Sequence, residues 1–204
     1  MTVTKLEPVT KTKYKVFLNE EFAFVLYKGE LSRYGIREGE EVEEDLRQRV
    51  MDEVIYKRAR LRAMHLLEDM DRTESGLREK LRQGLYPEEA IEGAIKYVKS
   101  FGYIDDLQYA KRFIDSRKSS KSRREIYAQL CSKGVSPDKI ELAFEECCET
   151  DGEKEAILQL IRKKRVNPVH ASEEEMRRLY GYLARKGFRY DEIRQVIQNY
   201  DENA

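Results

Sequence analysis

The feature that most constrains the fold is a threefold internal repeat that begins near residue 71. When the sequence is aligned on Leu81, Leu130 and Leu183, large apolar or aromatic residues recur four residues before and five, ten and fourteen residues after each leucine. These residues are Leu77, Tyr86, Ile91 and Ile95, then Ile126, Val135, Ile140 and Phe144, then Leu179, Phe188, Ile193 and Ile197. Such a period predicts tandem units that each pack on their neighbours.

Each copy has the pattern of a helix, a tight turn and a second helix, and a further apolar segment precedes it. Gly134 and Gly187 stand four residues after the aligned leucine, where a helix ends in a left-handed residue. The first copy has Leu85 there, which leaves the geometry of its turn open. The predicted fold is therefore mostly α, with tandem three-helix repeats in an elongated, curved array.

Helix-start patterns agree with these boundaries. Ser122 and Ser172 each precede a glutamate by three residues, which is the spacing of a capping box. Pro87 and Pro137 stand where a first helical residue is expected. Asp105 or Asp106 is placed to cap the helix that follows Gly102.

The residues before the repeats divide into three parts. Residues 1 to about 10 are predicted to be a loose end. Tyr14, Val16 and Leu18, and then Phe22, Phe24 and Leu26, alternate with other residues around Asn19-Glu20-Glu21, which predicts a β-hairpin. From about 42 to 70 the pattern is helical, and it places Leu46, Val50, Val54 and Leu61 on one face; a bend and two abutting helices are both compatible with it.

These patterns predict four domains. They are an N-terminal extension with the hairpin (1–41), a linking helix with the first three-helix repeat (42–104), the second repeat (105–150) and the third repeat (151–204).

Composition indicates a cytoplasmic protein. No stretch approaches the roughly 18 apolar residues of a membrane span, and the first residues lack the apolar core of a signal peptide. The three cysteines, Cys131, Cys147 and Cys148, make a poor disulfide framework, so we predict small core residues in a reducing compartment.

We find no catalytic or metal-binding pattern. The sequence has no Gly-rich phosphate loop, no His-Glu-x-x-His pair and no nucleophile elbow. Asp105 and Asp106 are adjacent and would point about 100° apart on a helix, so capping explains them better than catalysis. We predict no enzymatic activity, no cofactor and no metal.

Two basic clusters are the better candidates for function. Between Lys111 and Arg124 there are seven Lys or Arg residues and one acid, and a helix start within such a run suits a phosphate or a carboxylate. A second cluster ends a helix of the third repeat, where the helix dipole alone could explain it. The predicted binding residues are Arg112, Arg117, Lys118, Lys121, Arg123, Arg124 and Lys133, with Arg162, Lys163, Lys164 and Arg165.

The total charge argues for a partner that is not nucleic acid alone. The chain has 39 basic and 39 acidic residues, whereas a pure nucleic-acid binder is expected to be basic overall. We therefore expect a protein partner first, such as one already bound to DNA, and phosphate contacts second.

Two segments of the second repeat resemble a known family. The segment from Gly102 to Ile114 reads Gly-Tyr-Ile-Asp-Asp-x-x-Tyr-Ala-x-x-Phe-Ile, and the one from Arg123 to Val135 reads Arg-Arg-Glu-Ile-x-x-x-Leu-x-x-Lys-Gly-Val. Both resemble RecX, the regulatory protein of the RecA recombinase. Residues 63–81 are similar to the family's first repeat, and the likeness extends over about 59–200.

The resemblance implies a non-enzymatic regulator, chiefly an inhibitor. It implies binding in the groove of the RecA–DNA filament and restraint of its ATPase, strand-exchange and coprotease activities, with contacts to single- or double-stranded DNA through phosphates. We expect a monomer. The residues Tyr103, Asp105, Asp106, Tyr109, Phe113 and Gly134 match the family's signature, and we interpret them as mainly structural.

Three other functions stay open at this point. A stand-alone DNA-binding helical-repeat module would bind bare DNA with a steep salt dependence. A repeat scaffold for unrelated proteins would not need Arg123 and Arg124. A metal-dependent nuclease, the most distant alternative, would need Asp105.

Overall fold

The computed structural model describes residues 1–147 and 152–200 of the chain. Contacts divide the chain into two compact units, residues 1–104 and 105–204. The predicted fold class is confirmed, because the chain is mostly helical, with three tandem three-helix repeats and a small N-terminal sheet. The four predicted domain ranges stay a prediction, and the boundary between residues 150 and 151 lies outside the described residues.

The N-terminal sheet has three antiparallel strands in the order β1 (Val3–Pro8), β2 (Lys13–Leu18) and β3 (Glu21–Tyr27). The predicted loose end is therefore wrong, because β1 pairs with β2 along its length. The Val3 side chain is fully buried, and its N–H donates to the carbonyl of Glu40 at 2.9 Å. The predicted hairpin is confirmed, with Asn19 and Glu20 both at positive φ, as a tight two-residue turn requires.

A bulge in β3 changes which side chains enter the core. Val16 pairs with Phe24 but Phe17 pairs with Phe22, so Ala23 is the extra residue between them. Phe24 is buried as predicted, whereas Phe22 shares the outer face with Phe17 and is 38% exposed. Simple alternation had placed Phe22 and Phe24 on the same face.

The long helical segment is continuous and contains a π-helical turn. After α1 (Lys28–Tyr34), helix α2 (Glu44–Val50) runs through the π turn (Met51–Ile55) into α3 (Tyr56–Asp69). The turn inserts one residue, which rotates the faces of α3 by about 100° relative to those of α2. Ile55, Ala59 and Ala63 are therefore buried, and Leu61, which we predicted on the apolar face, is 59% exposed.

The second and third repeats each have a core of their own, whereas the first repeat shares a core with the sheet. The first repeat consists of α3, α4 and α5, and its core is continuous with that of the sheet. The second consists of α6, α7 and α8, and the third of α9, α10 and α11, each around its own cluster of buried residues. The helices are α4 (Glu74–Gln83), α5 (Glu88–Ser100), α6 (Asp106–Asp115), α7 (Arg123–Ser132), α8 (Pro137–Cys147), α9 (Gly152–Lys164), α10 (Glu173–Arg185) and α11 (Tyr190–Gln198).

The same left-handed turn closes the second helix of every repeat. The residue at the turn has φ of 60° at Leu85, 78° at Gly134 and 95° at Gly187. In each copy the next N–H donates back to the aligned leucine's carbonyl, at 3.3, 3.2 and 3.3 Å. The missing glycine of the first copy therefore leaves its geometry unchanged, and Leu85 adopts a conformation that L residues disfavour.

The helix starts are largely as predicted. Asp105 accepts from the N–H groups of Leu107 and Gln108, and Ser172 forms the full capping box. Ser122 accepts from Glu125 N–H, but the Glu125 carboxylate pairs with Lys121. Pro137 begins α8.

Two smaller predictions need correction. Pro87 is the residue before α5, in extended conformation, and not its first helical residue. Cys131 is exposed and Cys147 is half-buried, so the prediction of core residues is wrong for Cys131, because it lies on the outer side of α7. Cys148 lies outside the described residues.

We predict that Gly187→Ala destabilises the protein by about 2 kcal/mol. Its φ of 95° is strained for alanine, and a Cβ there would lie 2.8 Å from Ser122 Oγ. The matched control is Gly181→Ala within α10, where the nearest atom would be a flexible arginine nitrogen at 3.4 Å. Removing a helix-interior glycine should stabilise by about 0.8 kcal/mol.

Urea unfolding of the full chain, followed by circular dichroism, measures both changes. Equal effects of the two substitutions would contradict the assigned turn.

Candidate functional site

The basic segment between α6 and α7 is an ordered connection. The N–H of Lys118 donates to the carbonyl of Ile114 at 2.8 Å, and that of Lys121 donates to Arg117 at 3.0 Å. These bonds continue α6 by about one turn, so the cations are held in fixed positions at the start of α7.

The start of α7 binds a carboxylate of the same chain. The N–H of Arg123 donates to Glu153 Oε1 at 2.8 Å, from the first turn of α9. The Arg123 guanidinium donates to Glu141 at 2.6 Å and lies 4.4 Å from the centre of the Phe144 ring. The anion expected at this helix start is thus an internal glutamate, and Arg123 links the second repeat to the third.

Ser122 makes a second link between these repeats. Its hydroxyl is fully buried, donates to the Lys186 carbonyl at 2.7 Å and accepts from Glu125 N–H at 3.2 Å. Gly187 lies so close that only a residue without a side chain fits. The turn that closes α10 is therefore fixed against the first residues of α7.

Two adjoining clefts lie along this junction, each with a volume of about 470 Å³. Glu153 and Arg123 line both of them. Glu153 and Glu192 are the carboxylates among the lining residues. We call the pair the cationic clefts, because six basic residues line them: Lys118, Lys121, Arg123, Arg124, Lys154 and Arg189.

Arg124 differs from its neighbours in the cationic clefts. Lys118 pairs with Asp115 at 2.8 Å, and Arg189 pairs with Asp191 at 2.9 Å. Within residues 1–147 and 152–200, Arg124 forms no ion pair, and its side chain is exposed. Arg124 can therefore bind an external anion without breaking an ion pair to the described part of the chain.

Two more of the predicted cations lie against the ring of Phe113. The Arg117 guanidinium lies 3.8 Å from the centre of the Phe113 ring, and Lys133 Nζ lies 5.6 Å from it. Tyr109 stacks near the same ring, with centroids 6.1 Å apart. Arg112 is exposed on the same helix, α6.

The second basic cluster lies apart from the clefts. Arg162, Lys163 and Lys164 end α9, and Arg165 follows it. Ten residues of helix separate Lys163 from Glu153, which is about 15 Å along the axis. The structure therefore does not bring the two clusters together.

The signature residues have different surroundings. Asp106 is only 7% exposed and pairs with Lys139 at 3.5 Å. Tyr103 is 55% exposed and stacks on Phe101, with ring centroids 5.7 Å apart.

Sequence reasoning missed four charged residues of the clefts: Glu153, Lys154, Arg189 and Glu192. Arg189 follows Arg185 and Lys186 in the third copy, so its charge was a usable indication. Nothing in the spacing of Glu153 or Lys154 pointed to the start of α7, because that proximity depends on how the repeats pack.

The pKa of Glu192, which lines the second cleft, departs from its ordinary value. Burial raises the pKa of Glu192 above its ordinary value, and the nearby Glu153 carboxylate adds to this. The N–H of Arg189, which donates to Glu192 at 3.2 Å, acts in the opposite direction. The folded protein thus holds this proton more tightly than the unfolded chain does.

We predict that Glu192→Gln removes a pH dependence of stability. Since the folded state binds more protons, the parent should be most stable below the ordinary pKa of a glutamate and should lose that stability as the pH rises through the raised pKa. Glutamine keeps the acceptor for Arg189 and cannot ionise. Urea unfolding at several pH values should show the variant more stable near neutral pH, with the difference shrinking in acid; parallel profiles would contradict this.

Two absences concern the described residues only. Residues 1–147 and 152–200 contain no group of three His, Cys, Asp or Glu side chains that could hold a metal ion. Across the same ranges, no helix is long and apolar enough to span a membrane.

Comparison with known proteins identifies the repeats. Family models match all three: RecX, first three-helix domain, at 59–97; RecX, second three-helix domain, at 105–143; and RecX, third three-helix domain, at 151–197. "Regulatory protein RecX" of Caldanaerobacter subterraneus subsp. tengcongensis is 32% identical over 199 residues, which is 97% of this chain and 98% of the relative. The protein of the same name from Clostridium botulinum strain Alaska E43 is 32% identical over 202 residues, covering 96% and 94%.

Solved structures share the fold. "Crystal structure of regulatory protein RecX" matches with a TM-score of 0.64 at 22% identity and covers 96% of this chain and 98% of that one. "Crystal structure of RecX from Lactobacillus salivarius" matches with a TM-score of 0.64 at 24% identity over 72% of this chain and 96% of that one. The chain belongs to the RecX family of regulatory proteins.

Proposed function

We propose that this protein regulates the RecA recombinase, chiefly as an inhibitor, by binding in the groove of the RecA–DNA filament. It restrains the filament's ATPase, strand-exchange and coprotease activities by binding alone, without catalysis. It acts as a monomer in the cytoplasm. Family membership supports the regulatory role.

The cationic clefts carry the proposal. Six basic side chains and two carboxylates line them, in a chain whose total charge is zero. Four of the six cations also pair with carboxylates beside the clefts, so Arg124 is the cation we expect to attract an external anion. Such a site suits phosphates of DNA or carboxylates of a protein. A filament of protein on DNA offers both.

The ion pairs within the chain determine which cations are available to contact a partner. Arg123 holds Glu141 and Glu153, so its primary contribution is to the shape of the clefts. Arg124 is exposed at their rim, and we assign it the external contact. Arg117 and Lys133, held on Phe113, extend the basic surface.

The test is ATP hydrolysis by RecA on single-stranded DNA, with this protein present at a sub-stoichiometric ratio. The parent should inhibit hydrolysis. Arg124→Glu should require about tenfold more protein for the same inhibition, which corresponds to about 1.4 kcal/mol of binding free energy. The fold should be unaffected, since Arg124 has no ion pair in the described part of the chain.

Arg37→Glu is the matched control. It makes the same charge change in the other unit, at a side chain 77% exposed. Equal loss of inhibition in both variants would contradict a specific role of the clefts.

Two other outcomes point to the alternatives. A parent without effect on RecA that binds bare DNA, with affinity falling steeply as salt rises, would indicate a stand-alone DNA-binding module. No effect in either assay would indicate a scaffold for another partner.

A further inference from the structure

The outer face of the N-terminal sheet combines aromatic rings with cations. Cross-strand pairing places Lys5 beside Phe17 and Phe17 beside Phe22, while Lys13 pairs with Tyr27 at the other end. These side chains point away from the core. The bulge at Ala23 is what places Phe22 among them.

The rings are accessible. Phe22 and Tyr27 are each 38% exposed. Phe22 meets Phe17 edge to face, with centroids 6.0 Å apart. Part of each ring is therefore available for contact with a ligand.

Cations surround these rings. Lys5 Nζ lies 5.6 Å from the Phe17 ring centre, and Lys13 Nζ lies 5.1 Å from that of Tyr27. The Arg58 guanidinium, from α3, lies 4.8 Å from the Tyr27 ring.

The carboxylates of this face are already engaged. Glu7 binds Lys5 at 2.7 Å and Lys15 at 3.1 Å. Glu30 pairs with Arg58 and also accepts from the Tyr27 N–H at 2.8 Å. These side chains are four cations and two carboxylates, and Lys13 is the cation that pairs with neither carboxylate.

We propose that this face binds single-stranded nucleic acid. Unpaired bases stack on Phe22 and Tyr27, and the phosphates contact Lys5 and Lys13. Stacking on aromatic side chains within a positive surface is how proteins hold single strands without reading their sequence. This contact goes beyond the proposed function and does not depend on the cationic clefts.

Other occupants fit less well. A duplex keeps its base faces stacked internally and offers the rings nothing. A second copy joined through the same face would bring like charges together, because a twofold interface pairs a patch with itself. An apolar protein surface would offer no negative charge to pair with the lysines.

The absence of Trp from the sequence allows a direct test. Phe22→Trp in the full chain creates a single tryptophan on the face. Adding an oligo-dT of about 20 nucleotides should quench its fluorescence, since a stacked base quenches indole. Leu61→Trp is the matched control, because Leu61 is an exposed apolar residue of the same unit on α3.

Affinity gives an independent measure that does not need the tryptophan. Tyr27→Ser and Lys13→Gln should each weaken binding of labelled oligo-dT, the former about tenfold, as judged by fluorescence anisotropy. Duplex DNA of the same length should show a smaller effect.

Three results would overturn the proposal: no binding of oligo-dT by the parent, binding that leaves Phe22→Trp fluorescence and the Tyr27→Ser affinity unchanged, or quenching by RecA alone and not by DNA. The RecA ATPase assay with Arg124→Glu keeps the two proposals separate. Loss of inhibition there with normal oligo-dT binding by Tyr27→Ser would reject the sheet contact and retain the regulator.

Discussion

The repeat architecture depends on one left-handed turn. In each repeat this turn reverses the chain after the second helix. The next apolar residue then packs in the core, and the third helix is positioned against it. Gly134 and Gly187 adopt this conformation without strain, while Leu85 adopts it at a cost of about 1 kcal/mol. That Leu85 does so indicates that packing of Leu81 and Ile91, both fully buried, outweighs the local preference.

The junction of the second and third repeats arises from the same turn. Gly187 allows the chain to approach Ser122, whose hydroxyl binds the carbonyl of Lys186. Glu153 then accepts from the N–H of Arg123. A helix start that would otherwise suit an external anion is satisfied internally, and the cations around it form the walls of two clefts.

Two of the errors in the sequence-based predictions, those at Phe22 and Leu61, have a common form. A bulge at Ala23 and a π turn at 51–55 each insert one residue into a regular period. Phe22 and Leu61 consequently leave the faces that periodicity assigns to them. Periodicity assumes a constant rotation per residue, and a single insertion is invisible in composition because the apolar residues on either side remain.

Local patterns in the sequence were enough to predict the class of fold, the three repeats, most helix starts and the basic segment. Each of these depends on local spacing, on caps or on the apolar period, all of which are written within a few turns of chain. Only the folded structure showed that β1 pairs with β2, that Glu153 and Arg189 line the clefts, and that Arg123 pairs with Glu141 of the same chain. Those outcomes depend on contacts such as Val3 with Glu40, Arg123 with Glu153 and Ser122 with Lys186, which are 37, 30 and 64 residues apart, and no local rule specifies which surfaces meet.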